Sequence, residues 1–165
     1  MSADSDANTA GVDFAVVAYR EEGVWQIAVL PHERVGDLDE LTDELRRYPG
    51  DFGSLAFISI DEDFFLLARV AGANVRLLLS DVTAASEWPI ARDVIDELDL
   101  PMPDDDDDPA PAGDLGILAD LGVDAMEMGA MLDDLDAYPD ELLSDIAGRI
   151  GIGRQFDELV ALPTS

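Results

Sequence analysis

Apolar runs separated by short polar stretches occupy much of the first hundred positions, and this pattern predicts strands joined by short turns. Runs rich in β-branched and aromatic residues are each bounded by acidic residues, glycine or proline. They predict five strands: Asp13–Arg20, Val24–Leu30, Ser54–Ile60, Phe64–Ala71 and Asn74–Ser80. The turn Glu21-Glu22-Gly23 predicts a hairpin between the first two, because glycine accepts the backbone conformation that a tight turn needs.

Two helices are predicted beside these strands. Asp37–Tyr48 places Leu38, Leu41 and Leu45 on one face, with Asp37 as its N-cap, and Pro49-Gly50 follows it. Its other faces are charged, so we expect it to cover a sheet whose second face contacts water. Thr83–Leu98 has a helical pattern interrupted at Pro89, and Ser86 is the predicted cap of its second part.

The order strand, strand, helix, three strands, helix indicates the fold class. It favours an α+β fold with a five-stranded antiparallel sheet over residues 12–99. This order resembles that of longin-like and profilin-like domains. The analogy concerns the fold alone, and such scaffolds usually bind other proteins.

A proline- and aspartate-rich stretch separates this part from the rest. Pro101–Gly113 holds five consecutive aspartates between prolines, a composition that repels itself and cannot bury apolar surface. We therefore predict an α/β domain at 12–99, an acidic linker at 100–113 and a small helical unit at 114–162.

The helical unit is predicted from caps and apolar spacing. Asp124, with Glu127 three residues later, opens one helix, and Pro139 lies in the first turn of a second that ends before Gly151. Gln155–Ala161 predicts a last short helix. Leu115–Leu121 is apolar but broken by glycine, and is compatible with a short helix or with an extra strand.

The charge balance restricts the classes of partner. The chain has 38 acidic residues against 9 arginines and no lysine, a net charge of −29. Such a field repels phosphates and anionic lipid, so it disfavours direct nucleic-acid or membrane binding and favours partners with a basic surface. Solubility, or adaptation to salt or to a GC-rich genome, explains the acids equally well.

The arginines are too few to bind a phosphate chain. We expect four of them to neutralise nearby acids: Arg46, Arg47, Arg69 and Arg76.

The absence of certain residues and segments from the sequence restricts the redox chemistry and the cellular compartment of the protein. There is no cysteine, which excludes disulfides, thiol nucleophiles and cysteine-ligated zinc. The polar N-terminus lacks the basic and apolar regions of a signal peptide, and no apolar run is long enough to span a bilayer. A cytoplasmic protein is predicted.

No motif in the sequence specifies a reaction. His32, the single histidine, has no candidate nucleophile in a recognisable motif beside it, so an ordinary loop histidine is predicted. Asp104–Asp108 and Asp61–Asp63 do not reproduce the alternating ligand spacing of a calcium loop. The sequence therefore predicts no catalytic residue, no metal site and no cofactor.

A methionine-rich helix start is the candidate contact surface. This start contains Met126, Met128 and Met131, and its candidate contact residues are Met128 and Met131, with Tyr138 nearby, in an adaptable apolar surface for a protein partner. Tyr138 could instead pack at the entry of the next helix, and the spacing is compatible with either role. Core packing is the alternative for the methionines, and it is the more frequent role of methionines at helical spacing.

Three stretches carry a family resemblance. They are DFAVVAYREEGVW from Asp13, YPGDFGSLAFISIDEDFFLLARV from Tyr48, and the long segment from Gly113 that contains GVDAMEMGAMLDDLDAYPDELLSDIAGRIG. In these the chain resembles the actinobacterial tRNA adenosine deaminase-associated proteins, from about Asp13 to Leu162. The family takes its name from genes beside that of the zinc enzyme that forms inosine at the tRNA wobble position. It has no established catalytic motif, so the resemblance implies an accessory role and carries over no functional residue.

The residues and the resemblance together predict a non-enzymatic acidic accessory protein, with a tRNA adenosine deaminase as its candidate partner. Two alternatives stay open at this point. One is an enzyme or a small-ligand binder with a pocket between the sheet and the C-terminal helices. The other is a structural or dimerisation domain unrelated to tRNA editing.

Overall fold

A six-stranded antiparallel sheet forms the centre of the protein, with strand order β2-β1-β3-β4-β5-β6. The computed structural model describes residues 12–31, 35–48, 50, 53–104, 106, 108–133 and 137–160. The strands are β1 (Val12–Glu21), β2 (Val24–Val29), β3 (Ser54–Ile60), β4 (Phe64–Ala71), β5 (Asn74–Leu79) and β6 (Ala112–Gly113).

The described residues form five α-helices and two short 3-10 helices around the sheet. The α-helices are α1 (Leu38–Leu45), α2 (Pro89–Glu97), α3 (Ala125–Leu132), α4 (Pro139–Ile150) and α5 (Gly153–Val160). The 3-10 helices are Val82–Ser86 and Ala119–Leu121. The α+β class, the antiparallel sheet and the positions of the five predicted strands are confirmed.

The predicted strand count is wrong, because the end of the acidic linker is a sixth strand. Ala112 and Gly113 pair with Leu79 and Leu78 of β5. Gly113 has a φ of +116°, and a Cβ there would lie only 2.2 Å from the carbonyl oxygen of Leu77. Two residues are too few to show an apolar alternation, so the sequence pattern did not reveal the strand. The sheet therefore has one strand more than the longin- and profilin-like order that the sequence suggested.

The expectation that one face of the sheet contacts water is also wrong. All seven residues of β3 are buried, so both faces of the central strand are covered. On one face α1 and α2 pack over residues that include Val17, Ile58 and Leu66. On the other, the segment from residue 115 onward packs over Val16, Phe57 and Leu67. The helices after the linker thus share a core with the sheet, an arrangement that the one-sided stripe of α1 could not indicate.

Helix termini follow local chemistry for the most part. The Asp37 carboxylate accepts a hydrogen bond from the Glu40 amide at 2.8 Å, and Asp124 accepts one from Glu127 at 2.8 Å. Gly151 ends α4 in the left-handed conformation, as predicted. The predicted cap at Ser86 is wrong: α2 begins with Pro89 in its first turn after Trp88, and the Ser86 hydroxyl instead donates to the Thr83 carbonyl.

Two arginines of the sheet form hydrogen bonds and ion pairs with the segment after the linker. Arg69 of β4 and Arg76 of β5 are register partners on neighbouring strands. Arg69 donates two hydrogen bonds to the Asp120 carboxylate, at 2.7 and 2.8 Å, and a third to the Ile117 carbonyl. Arg76 donates to Asp114 at 2.6 Å. Together with the pairs Arg46–Asp43 and Arg47–Glu44, these contacts confirm that the predicted arginines neutralise acids.

We expect Asp120→Asn to lower the free energy of unfolding by roughly 1–3 kcal/mol, because the guanidinium of Arg69 is buried and would lose its anionic partner. Hydrogen bonding from Arg69 lowers the pKa of Asp120 in the folded state. The unfolded state therefore binds the proton first as the pH falls. The stabilisation is complete above the ordinary carboxyl pKa of about 4, and it is lost as the pH falls through the lower folded value.

Urea unfolding at several pH values checks this expectation. The wild-type advantage over Asp120→Asn should be largest near neutral pH and should shrink in acid. Asp114→Asn is the matched control, since its partner Arg76 is 41% exposed and the exchange should cost less. Equal losses for the two variants at all pH values would contradict the role assigned to the buried arginine.

Candidate partner-binding surface

An acidic groove runs between the two last helices. Asp140, Glu141 and Asp145 line it from α4, and Asp157 lines it from α5. Asp140 and Glu141 occupy the first turn of α4, where the partial positive charge of the helix end favours carboxylates. The Ser144 hydroxyl donates to Asp157 at 2.6 Å, which fixes that carboxylate in the groove. The groove presents acceptor oxygens that suit the guanidinium or ammonium groups of a partner.

A second acidic groove lies on the opposite side of the sheet, between α1 and α2. Its lining comprises Leu38 and five carboxylates: Asp37, Asp39, Asp93, Asp96 and Glu97. Asp93 accepts a hydrogen bond from the Leu38 amide at 3.1 Å, a contact that joins the start of α1 to α2. Acidic surface is therefore not confined to the part of the chain after the linker.

A small cavity lies where the sheet meets the C-terminal helices. It measures about 160 Å³ and is lined by Asp63, Ser80 and Asp81 on the sheet side and by Leu132 and Leu142 on the helix side, among others. Burial raises the pKa of the Asp63 carboxyl, and the neighbouring charges of Asp81, Asp61 and Glu87 raise it further. Pockets that hold small ligands usually measure about 300–1,000 Å³, so this cavity does not favour the small-ligand alternative.

The three residues predicted to contact a partner have different environments. Met128 is fully buried in the core between the helices and the sheet, so its side chain is not part of the surface. Met131 is half-buried and lines a groove between α3 and α4 with Ala130, Leu142 and charged residues at the rim. Tyr138, directly before α4, is 57% exposed. The structure thus leaves Met131 and Tyr138 as candidate contacts beside the start of α4.

Met126, the first of the three methionines at the predicted helix start, is an exposed residue. Its side chain is 85% exposed at the start of α3. The helical spacing of the methionines indicates this exposure, because Met126 does not lie on the helical face that Met128 and Leu132 bury.

The described residues bear on the sequence expectations for a metal site, a histidine site and a membrane helix. No group of three or more histidine, cysteine or acidic side chains among them could hold a metal ion. His32 lies outside the described residues, so the structure does not place the single histidine. Within the same part of the chain, no helix is both long and apolar enough to cross a membrane.

Comparison with known proteins places the chain in a family. A profile described as the Rv3753c-like tRNA adenosine deaminase-associated protein matches residues 13–153. The chain belongs to this family. The match runs from the first strand to the start of α5, so it includes the sheet, the acidic linker and most of the helical unit. The family resemblance seen in the sequence is confirmed.

A relative in this family is Protein Rv3753c of Mycobacterium tuberculosis (strain ATCC 25618 / H37Rv). It is 37% identical to the chain over 150 residues, which is 89% of this chain and 87% of the relative. No solved structure matches the chain. The family is named for its association with a tRNA adenosine deaminase, and that name is the functional information the comparisons supply.

Proposed function

We propose that the protein is a non-enzymatic accessory protein that binds a protein partner with a basic surface, and that this partner is a tRNA adenosine deaminase in the cytoplasm. The observation that carries the proposal is the family description, which associates such proteins with that enzyme. An enzyme that binds tRNA needs positive charge around its substrate, and a chain of net charge −29 is suited to contact such a surface.

The groove between α4 and α5 is the proposed contact site. Four of its lining residues are carboxylates, and the exposed Tyr138 lies one residue before α4. An aromatic residue next to a charged rim is a frequent arrangement at interfaces, where it supplies apolar area while the charges orient the partner. Met131, in the neighbouring groove, is the second proposed apolar contact.

A ligand-binding role has less support from the same residues. The cavity between sheet and helices is small, and among the described residues it offers the carboxylates of Asp63 and Asp81 without a basic group to complete a site. The larger depressions are open grooves with acidic linings, which suit a protein surface better than a small molecule.

Titration of the purified protein with the tRNA adenosine deaminase of the same host tests the proposal. We expect binding whose affinity falls steeply between about 0.05 and 0.5 M salt, because screening weakens contacts between opposite charges. Removing three charges from the groove with Asp140→Asn, Glu141→Gln and Asp145→Asn should weaken binding at least about tenfold at low salt.

A matched triple variant controls for total charge. Asp39→Asn, Asp96→Asn and Glu97→Gln remove three charges from the groove between α1 and α2 on the opposite side of the sheet. If both triple variants weaken binding equally, the net charge of the protein accounts for the binding, and the groove between α4 and α5 is not the contact site. Absence of binding at low salt would overturn the proposed partner. Circular dichroism establishes that each variant is folded.

A further inference from the structure

Strand β2 lies at an edge of the sheet and has β1 as its only strand neighbour in the described structure. Its register with β1 is continuous over six residue pairs, from Val16 with Val29 to Glu21 with Val24. The opposite edge is β6, which is two residues long. β2 is therefore the one long edge strand that the described sheet offers for further pairing.

The direction of the β2 backbone groups follows from a single hydrogen bond. The Leu30 amide donates to the Ala15 carbonyl at 2.8 Å, so residues 15 and 30 form a hydrogen-bonded pair. Such pairs alternate along an antiparallel ladder. The backbone groups of Val24, Gln26 and Ala28 consequently face β1, and those of Trp25, Ile27 and Val29 face away from it.

The composition of β2 lacks the features that prevent an edge strand from pairing with a strand of another chain. Monomeric proteins protect their edges with charged residues, proline or bulges. The segment from Val24 to Val29 has no charged residue and no proline, although the chain has 38 acids and 9 arginines. Val24 and Val29, at its two ends, are 59% and 55% exposed.

We infer that the protein forms a twofold symmetric dimer in which β2 of one copy pairs antiparallel with β2 of a second copy, centred on Ile27. This register places Val29 of each copy opposite Trp25 of the other, and it uses all the outward-facing backbone groups in about six hydrogen bonds. Trp25 and Ile27 already pack at the margin of the core beneath α5, so the new pairs would extend that apolar layer.

The charge pattern selects a second copy over a basic partner. A basic partner would be attracted to the acidic grooves, whereas six neutral residues of β2 give it nothing to recognise. Two copies of β2 place no like charges opposite each other within the pairing. The rest of each subunit repels the other, so the dimer should strengthen as salt screens the net charge. Binding of a basic partner has the opposite salt dependence, and the two proposals can therefore fail separately.

Sedimentation analysis of the full-length protein tests the dimer. We expect a reversible monomer–dimer equilibrium at concentrations up to about 200 µM, shifted toward the dimer when salt rises from about 0.05 to 0.5 M. Val29→Glu should weaken dimerisation at least about tenfold, because it places a carboxylate against Trp25 of the other copy. Met126→Glu adds the same charge at an exposed apolar residue outside the edge and should leave the equilibrium unchanged.

Single cysteines test the register, since the chain has none of its own. Opposed Ile27→Cys residues would have Cα atoms about 5.5 Å apart, within the range of a disulfide, and mild oxidation should cross-link them. Val29→Cys residues would lie about 14 Å apart and should not cross-link. A monomer under all conditions, a dimer unaffected by Val29→Glu, or cross-linking of Val29→Cys in place of Ile27→Cys would each overturn the inference.

Discussion

A chain that ends at Leu100 should lose its native fold, because the C-terminal helices cover most of one face of the sheet. Truncation would uncover the apolar side chains of that face, including Leu55, Phe57, Phe65, Leu67 and Leu78. Full burial of such a side chain is worth about 1.5–3 kcal/mol, so exposing five of them removes roughly 10 kcal/mol. That loss is as large as the whole stability of a typical domain, about 5–15 kcal/mol.

The truncated chain should express largely as aggregate. Any fraction that stays in solution should bind a dye specific for exposed apolar surface and should lack a cooperative thermal transition. The full-length chain measured under the same conditions is the control. If residues 1–100 instead unfold cooperatively, with near-UV dichroism like that of the full chain, the α/β part is an independent domain, as the division at the linker predicts.

Phe156→Ala should be the most destabilising of the single substitutions considered, at about 3–5 kcal/mol. Phe156 of α5 is fully buried and lies against two aromatic rings of the sheet. Its ring centroid is 5.6 Å from that of Phe14, in an edge-on arrangement, and 5.4 Å from that of Phe57. The substitution removes these contacts and leaves a cavity that the surrounding strands cannot close.

Urea denaturation followed by tryptophan fluorescence measures this loss. Met126→Ala, which shortens an apolar side chain that is 85% exposed, should change stability by less than about 0.5 kcal/mol. Phe156→Leu should fall between the two, since it keeps most of the apolar volume. A loss below about 1 kcal/mol for Phe156→Ala would show that α5 contributes little to the shared core and would contradict the packing of Phe156 against Phe14 and Phe57.

The family could be predicted from the sequence, but the proposed contact surface only in part. The resemblance of three segments identified the family that the comparison confirms over residues 13–153. Tyr138 and Met131 could be proposed from their types, whereas the burial of Met128 depended on which face of α3 meets the sheet. The acidic grooves join residues far apart in sequence, such as Asp37 with Asp93 and Asp140 with Asp157, which no local pattern relates.

The sequence by itself determined the elements of this protein and many of their ends. Runs of apolar residues between turn residues located five strands, and Asp37, Asp124 and Gly151 marked helix ends, because capping and turn formation depend on a few neighbouring residues. The sequence alone likewise determined the net charge, the lack of cysteine and the family.

The tertiary structure alone decided how these elements combine. It placed helices over both faces of the sheet, added the strand Ala112–Gly113, joined Arg69 to Asp120 across 51 positions, and left β2 at the edge. Each of these features depends on contacts between distant segments. Their energies come from burial and charge pairing in the folded chain, and the same residues are compatible locally with several arrangements. For that reason the linker could be predicted as a spacer while its last two residues complete the sheet.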